Sequence, residues 1–155
     1  MSEFDKMAAD FLAQKRIAVA GVSRNSQHTA NLIYKAFRSK GYTMFPVNPH
    51  AATLEGDPCF PDLGSIPGGV DGVMIVTRPE ITDAIVRDAV QAGVPRVWMH
   101  NNTFLPGSAS ETAIREGREN GLKVISGGCP MMFFDFGHKC MKWFLGAMGR
   151  LPQAE

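Results

Sequence analysis

The fold is decided by residues 16–23, which have the sequence RIAVAGVS. Residues 16–20 form a short apolar run, and Gly21 ends it. An unbroken apolar run is typical of a strand that is covered on both faces of a parallel sheet. Because glycine has no side chain, it permits a tight turn and a close approach of the backbone to a ligand. The stretch therefore predicts a buried strand that leads into a loop able to hold a ligand.

Similar apolar runs recur along the chain, separated by segments with helical spacing of apolar residues. Strands that alternate with helices indicate a parallel sheet with right-handed crossovers. The sequence thus predicts an α/β fold, with a Rossmann-like, doubly wound, parallel five-stranded sheet and helices on both faces. A capping box formed by Ser108 and Glu111 is expected to begin the fourth helix. The predicted strands are 16–20, 42–47, 70–76, 94–99 and 122–126, and the predicted helices are 3–14, 29–40, 79–92, 108–120 and 137–148.

Length and composition restrict the class of protein. The 155 residues suit one domain covering 1–155, and the values of 45% hydrophobic and 20% charged residues are ordinary for a globular chain. A net charge of +1 gives no electrostatic reason to expect nucleic acid or an anionic membrane as a partner. No apolar run is long enough to span a bilayer. The cysteines form no CxxC pair, which favours a reducing compartment and hence the cytoplasm: Cys59, Cys129 and Cys140.

The loop after the first strand has the residues of a phosphate site. Gly21 precedes Ser23 and Asn25, which are neutral donors, and Arg24, which can make a forked contact with phosphate. The loop departs from the dinucleotide fingerprint, since its second and third glycines would fall at positions 23 and 26, where serines stand. Residues 47–49 also lack the carboxylate that NAD sites place at the end of the second strand. Phosphate binding by a nucleotide other than NAD is predicted; the alternative is that Gly21 only makes a turn.

Four motifs at successive strand ends carry a family resemblance. They are 17–23 (IAVAGVS), 45–49 (FPVNP), 77–79 (TRP) and 124–130 (VISGGCP). In this order they resemble the stand-alone CoA-binding domain proteins and the N-terminal CoA-binding domain of the succinyl-CoA synthetase alpha subunit. Residues 136–143 (FGHKCMKW) are similar to a tail found in a subset of the stand-alone proteins.

The resemblance implies that coenzyme A is the ligand. By that likeness, the first loop holds the CoA phosphates, the second lies against adenine and ribose, and the third approaches the pyrophosphate and pantetheine arm. The missing carboxylate in the second loop suits a ribose with a 3′-phosphate. Serines and an asparagine replace glycines of the synthetase loop, and no counterpart is expected for the synthetase domain with the phosphorylated histidine, so ligase activity is not implied. The predicted cofactor-binding residues are Gly21, Val22, Ser23, Arg24, Asn25, Val47, Asn48, Pro49, Thr77, Arg78, Pro79, His100 and Cys129.

Two of these residues have chemistry of their own. Cys129 could meet the thiol of CoA as a mixed disulfide, or could pack beneath its loop. His100 could bind a polar ligand group or act as an acid–base residue, and capping of its loop is an equal alternative. His138 and Cys140 match no zinc pattern, so no metal is expected. No general base is expected near Ser23.

These features favour a non-catalytic protein that carries or senses CoA or an acyl-CoA, or protects its thiol. One alternative is an NAD(P)-dependent oxidoreductase. Another is an interaction or regulatory subunit with a vestigial nucleotide site. The Met- and Phe-rich segment that begins at residue 131 either packs the last helix on the sheet, lines an acyl channel, or provides a surface for a homodimer.

Overall fold

A computed structural model describes residues 2–101 and 107–134. Its main sheet has five parallel strands in the order β2-β1-β5-β6-β7, which confirms the predicted fold class. The predicted helix over 137–148 lies outside the described residues. The strands are β1 Arg16–Ala20, β2 Thr43–Val47, β3 Thr53–Leu54, β4 Asp57–Pro58, β5 Gly72–Ile75, β6 Arg96–Met99 and β7 Lys123–Ser126. The helices are α1 Glu3–Leu12, α2 Thr29–Ser39, α3 Pro79–Ala92 and α4 Glu111–Glu119, followed by a 3₁₀ turn, Pro130–Phe133.

Helices cover both faces of the sheet, because alternate side chains of each strand point to opposite faces. On one face, Phe4 and Phe11 of α1 pack edge-on against Trp98 of β6, and α2 completes this core. On the other face, Val86 of α3 and Ala113 of α4 pack over the remaining strand residues. Within the described ranges, no helix has the length and apolar character needed to cross a membrane.

The start of α4 differs from the prediction. Its N-cap is Ser110, whose side chain accepts a hydrogen bond from the Ala113 amide at 3.3 Å. The expected capping box of Ser108 and Glu111 is therefore wrong. Ser108 is buried, and its hydroxyl accepts a hydrogen bond from the Thr77 amide at 2.9 Å, so it joins the loop after β5 to the segment before α4.

A small hairpin, β3–β4, lies in the long connection between β2 and β5, for which the sequence predicts no helix or strand. Its turn residues, Glu55 and Gly56, have φ angles of 52° and 80°, as a two-residue turn of type I′ requires. The hairpin is fastened to α2, since Arg38 forms an ion pair of 2.8 Å with Asp57 and the Tyr34 hydroxyl donates to the same carboxylate. Burial and that hydrogen bond raise the pKa of Tyr34 above its usual range.

The strand order identifies the edge of the sheet where a ligand fits. The chain moves from β1 to β2 in one direction and then returns to place β5 on the other side of β1. In open parallel sheets, such a switch point leaves a crevice outside the carboxyl ends of the two central strands. Here the crevice lies between the loops that follow β1 and β5.

Candidate functional site

The two loops at the switch point are pressed together at Gly21. This residue has a φ of 110°, and a Cβ added to it would lie 2.1 Å from the carbonyl oxygen of Val76. The Val76 amide in turn donates to the carbonyl of Ala20 at 2.9 Å. Any side chain at position 21 would therefore force the loops apart, so the glycine is required by a close backbone contact as well as by its turn.

The conformation of the first loop is fixed by a buried amide on α2. Asn31 accepts a hydrogen bond from the Ser23 amide at 3.0 Å and donates to the Ser23 carbonyl at 2.7 Å. The same Asn31 amide donates to the Glu55 carboxylate at 2.9 Å, which joins the loop to the β3–β4 hairpin. Because Asn31 is fully buried, its three hydrogen bonds hold the loop in one shape.

Side chains within the loop add a second set of local contacts. The Ser23 hydroxyl accepts from the Asn25 amide at 3.1 Å, and Asn25 accepts from the Gln27 amide at 3.0 Å. Within residues 2–101 and 107–134, the amides of Arg24 and Ser26 donate to no protein acceptor. N–H groups without a protein acceptor in a turn before a helix are suited to bind an anion.

The expectation that no base lies near Ser23 is wrong. The Ser23 hydroxyl is 2.9 Å from Nδ1 of His28, the N-cap residue of α2. No third side chain among the described residues forms a hydrogen bond that orients the exposed imidazole. The pair therefore lacks the orienting group of a catalytic triad, and it stabilises the loop.

The loop after β2 is joined to the first loop by Asn48. Its amide donates to the Val22 carbonyl at 3.0 Å, and its oxygen accepts from the His50 amide at 2.8 Å. Arg24 crosses the same gap, since its guanidinium donates to the His50 carbonyl at 2.7 Å. The polar atoms of Asn48 therefore hold two loops together, and Arg24 keeps further donors at the exposed surface.

A cleft of about 480 Å³ opens between these loops and α3. A volume of this size lies within the roughly 300–1,000 Å³ of pockets that take small ligands. Its walls are largely apolar, and one of them is Ile81, whose residue surface is 42% exposed. The lining residues are Ala20, Gly21, Val47, Asn48, Pro49, His50, Pro61, Asp62, Thr77, Ile81, Ala84, Ile85 and Asp88.

Two carboxylates in the cleft were missed by sequence reasoning. Asp88 accepts a hydrogen bond from the Leu63 amide at 2.8 Å. Asp62 accepts from the hydroxyl and amide of Ser65, and these bonds hold the pKa of its carboxyl below the usual range. Each carboxylate thus stabilises a turn of the long connection. Their nearness to the cleft depends on how that connection folds back, which no local pattern indicates.

A second cavity, of about 250 Å³, lies next to the cleft, and Thr77 lines both. His100 lies in its wall and is only 3% exposed. Among the described residues, the His100 Nε2 atom has no hydrogen-bond partner. Burial lowers the pKa of His100 to about 4, so its imidazole is neutral at physiological pH. The other lining residues are Thr29, Val76, Arg78, Pro79, Gly107 and Ser108.

The helices differ in how their N-termini are capped. Ser2 caps α1 and Ser110 caps α4 through side-chain hydrogen bonds. The N-cap residues of α2 and α3, His28 and Arg78, make no such bond. These two N-termini, with their positive dipole ends, both adjoin the second cavity.

The predicted site residues fall into four groups. Gly21, Val47, Asn48, Pro49 and Thr77 line the cleft, and Thr77 together with Arg78, Pro79 and His100 lines the second cavity. Ser23, Arg24 and Asn25 form the loop beside them. Val22 and Cys129 line neither cavity, because both are buried in the core beneath α1 and α2.

Metal binding has no support in the part of the chain that the structure describes. Those residues contain no cluster of three or more histidine, cysteine, aspartate or glutamate side chains that could hold an ion. His138 and Cys140, which the sequence analysis weighed as ligands, lie outside the described residues.

Comparison with known proteins relates this architecture to several others. The chain is 30% identical over 115 residues to the uncharacterized protein YneT of Bacillus subtilis, covering 74% of this chain and 82% of that protein. It is 28% identical over 120 residues to the ADP-forming acetate–CoA ligase I of Archaeoglobus fulgidus, covering 74% of this chain and 18% of the ligase. A solved structure of a hypothetical protein from Pyrococcus horikoshii OT3 superposes with a TM-score of 0.75 at 27% identity, covering 84% of this chain and 92% of that one.

The family comparison includes every loop at the switch point. A family model described as CoA binding domain matches residues 15–135. This range contains the five-stranded sheet, the loop that begins at Gly21, the apolar cleft and the His100 cavity. The match extends over most of the chain, and the chain therefore belongs to the CoA binding domain family.

Proposed function

We propose that the protein binds coenzyme A at the carboxyl edge of the sheet and does so without a catalytic step of its own. The observation that carries this proposal is the apolar cleft of about 480 Å³ next to the loop after β1, in which the amides of Arg24 and Ser26 have no protein acceptor among the described residues. An adenine ring requires apolar walls, and phosphates require N–H donors, so the two features suit the two halves of one nucleotide.

Two arginines next to the cleft support a ligand with several phosphates, and the two carboxylates that line it, Asp62 and Asp88, are hydrogen-bonded to backbone amides. Arg24 and Arg78 are exposed, and Arg24 is anchored on the carbonyl of His50 between the first and second loops. The first loop and the start of α3 contribute amides and helix dipoles on the same edge. In this proposal, Arg24 and the first loop hold phosphates at the mouth of the cleft, and the adenine occupies the cleft itself.

Two aliphatic side chains of nearly equal exposure provide a matched test of the cleft. Ile81 is 42% exposed and lines it, whereas Leu32 of α2 is 43% exposed and lines neither cavity. We expect Ile81→Glu to weaken CoA binding at least about tenfold in calorimetry, because a carboxylate would stand among apolar walls and near phosphates. Leu32→Glu is expected to bind CoA like the wild type. Equal affinity in both variants would remove the cleft from the proposal.

One observation favours a second candidate, a nicotinamide dinucleotide. Asp62 lines the cleft, and NAD-binding folds use a carboxylate near the second strand to bind the ribose hydroxyls. Calorimetry with CoA, dephospho-CoA, NAD, NADP and ATP separates the candidates. CoA should bind more tightly than the others. Tighter binding of NAD that is lost in Asp62→Asn would replace CoA by the dinucleotide.

The absence of catalysis is tested at Ser23, because His28 lies within hydrogen-bond distance of its hydroxyl. Incubation with acetyl-CoA and a thiol reagent would detect any release of free CoA. We expect no release above the buffer rate. Hydrolysis that Ser23→Ala abolishes would make the protein a thioesterase, and the non-catalytic part of the proposal would be wrong.

A further inference from the structure

His100 is a buried polar residue, and one nitrogen of its ring has no role in holding the fold. Its backbone is fully used, since its amide donates to the Ile75 carbonyl at 2.8 Å and its carbonyl accepts from the Ser108 amide at 2.8 Å. Its Nε2 atom has no partner among the described residues. A buried nitrogen without a hydrogen bond costs free energy, so its presence in a residue that lines a cavity points to a ligand atom as the missing partner.

The cavity is divided by polarity. Arg78, the N-cap residue of α3, is exposed, whereas His100 is almost fully buried. The lining also includes Val76 and Pro79. Because burial keeps His100 neutral, with a pKa of about 4, its imidazole is a neutral hydrogen-bonding group in a lining that also contains Thr29, Thr77 and Ser108.

The size of the cavity restricts what enters it. A volume of about 250 Å³ is below the roughly 300–1,000 Å³ of pockets that enclose a whole small ligand, so this cavity receives one end of a longer molecule. It adjoins the larger cleft through Thr77, which lines both. A ligand whose nucleotide occupies the cleft can therefore place its other end beside His100.

From this arrangement we infer that the His100 cavity is the site for the acyl end of a short-chain acyl-CoA, whose thioester carbonyl pairs with Nε2 of His100. This inference rests on the proposed function and adds the class of ligand. A thioester carbonyl is a good hydrogen-bond acceptor, whereas a thiol is a weak partner. The apolar lining accommodates a few methylene groups, and the small volume excludes a long chain.

Binding measurements on the wild type test the class of ligand. The probes are CoA, acetyl-CoA, palmitoyl-CoA and adenosine 3′,5′-bisphosphate, which lacks the pantetheine arm. We expect acetyl-CoA to bind about tenfold more tightly than CoA, which corresponds to one hydrogen bond to a buried group. Palmitoyl-CoA is expected to gain nothing over CoA. Failure of CoA to bind at all would overturn the proposed function. Binding of CoA without a preference for acetyl-CoA would overturn this inference alone.

Substitution of His100 then identifies the group responsible. His100→Leu is expected to remove the preference for acetyl-CoA and to leave the affinity for adenosine 3′,5′-bisphosphate unchanged. His100→Gln, which keeps an amide donor, should restore part of the preference. Ile81→Glu provides the opposite control, since it should weaken the bisphosphate as well. A preference for acetyl-CoA that persists in His100→Leu would contradict the assignment.

A measurement on the unmodified protein remains decisive if His100→Leu does not fold. Nitrogen-15 NMR detects the imidazole nitrogens directly, and His100→Gln identifies the His100 signals by their loss. Acetyl-CoA should shift the Nε2 signal of His100, because a new hydrogen bond forms there. Adenosine 3′,5′-bisphosphate should leave that signal in place. Shifts of equal size with both ligands would contradict the inference.

Discussion

The amino and carboxyl edges of the sheet differ in whether their polar groups are paired within the protein. At the amino edge, charged groups are paired: Asp10 of α1 lies 2.8 Å from Arg96 and 3.3 Å from Lys123. Arg16 donates to the Gly69 carbonyl at 2.9 Å, and Asp71 accepts from the Arg16 amide at 3.0 Å. At the carboxyl edge, two helix N-termini have no side-chain cap, and the buried His100 Nε2 has no partner among the described residues.

This difference separates groups that hold the fold from groups kept for a ligand. A polar group satisfied within the protein stabilises it, whereas an unsatisfied one costs free energy until something binds. The amino edge should therefore affect stability without affecting binding. Groups at the carboxyl edge should affect binding, and the close contact at Gly21 should affect both.

The largest effect is expected for Gly21→Ala. The new Cβ would lie 2.1 Å from the Val76 carbonyl oxygen, at a φ of 110° that side chains rarely adopt. Strain and steric overlap together should lower the free energy of unfolding by about 4 kcal/mol. Calorimetry of the folded fraction should also find CoA binding abolished, because the loops after β1 and β5 must separate.

Gly41→Ala is the matched control for this substitution. Gly41 has a φ of 93° but nothing within 4 Å of an added Cβ. It should lose only about 1–2 kcal/mol from backbone strain and should bind CoA normally. Urea denaturation of both variants measures the difference. Equal losses of unfolding free energy would show that the contact with Val76 does not affect stability.

The next effect is a dependence of stability on pH that arises from His100. The unfolded chain takes up a proton near pH 6.5, whereas the folded chain does so only near pH 4, because burial disfavours the charged ring. Between these values the unfolded state binds more protons, so stability falls as the pH falls. The free energy of unfolding should fall by about 3 kcal/mol between these two pH values. Above pH 7, His100 should cause no further change in stability.

Urea denaturation between pH 7.5 and 4.5 measures this loss, and His100→Gln should flatten the profile. The charged group that lines the same cavity is Arg78. A hydrogen bond from Arg96 lowers the pKa of Asp10, and hydrogen bonds from Tyr34 and Arg38 lower the pKa of Asp57. The contributions of these two carboxylates to stability are therefore lost only at more acid pH. An unchanged profile in His100→Gln would mean that other groups cause the loss.

The sheet could be predicted from sequence because its signals are local. Each buried strand is an unbroken apolar run, and glycine follows several helices and strands, so the predictions for the five strands and for the four helices that the structure describes lie near the observed positions. The loops after β1, β2 and β5 were also located, since ligand sites of such sheets follow the strands. The identity of the ligand came from resemblance to a family.

The parts that were missed depend on contacts between distant residues. Ser108 has the spacing of a cap, but its hydroxyl is used by the amide of Thr77, 31 positions away. Asp62 and Ile81 meet across the cleft only because the long connection folds back over α3. The His28 imidazole reaches Ser23 because the first loop curls, and that curl is set by Asn31.

Ser108 and Ser110 lie close together before α4 but have different roles. Ser108 supports a residue in the wall of the His100 cavity, whereas Ser110 caps the helix. Ser108→Ala leaves the partly buried amide of Thr77 without its acceptor and should cost about 1–2 kcal/mol of stability. Because Thr77 lines both cavities, this variant should also weaken acetyl-CoA binding. Ser110→Ala removes a helix cap and should cost about 1 kcal/mol with no effect on binding. Calorimetry and thermal unfolding of both variants make the comparison, and equal losses of affinity would contradict it.

The smallest effect is expected at the amino edge, for Asp10→Asn. The substitution removes the ion pairs with Arg96 and Lys123, which are partly exposed, so the loss of stability should be about 1 kcal/mol. High salt should shrink the difference from the wild type, because screening weakens such pairs. The affinity for CoA should stay the same, since Asp10 lies at the opposite end of the strands from the cleft. A loss of affinity in this variant would mean that the two edges are coupled, and the division between a structural edge and a binding edge would not hold.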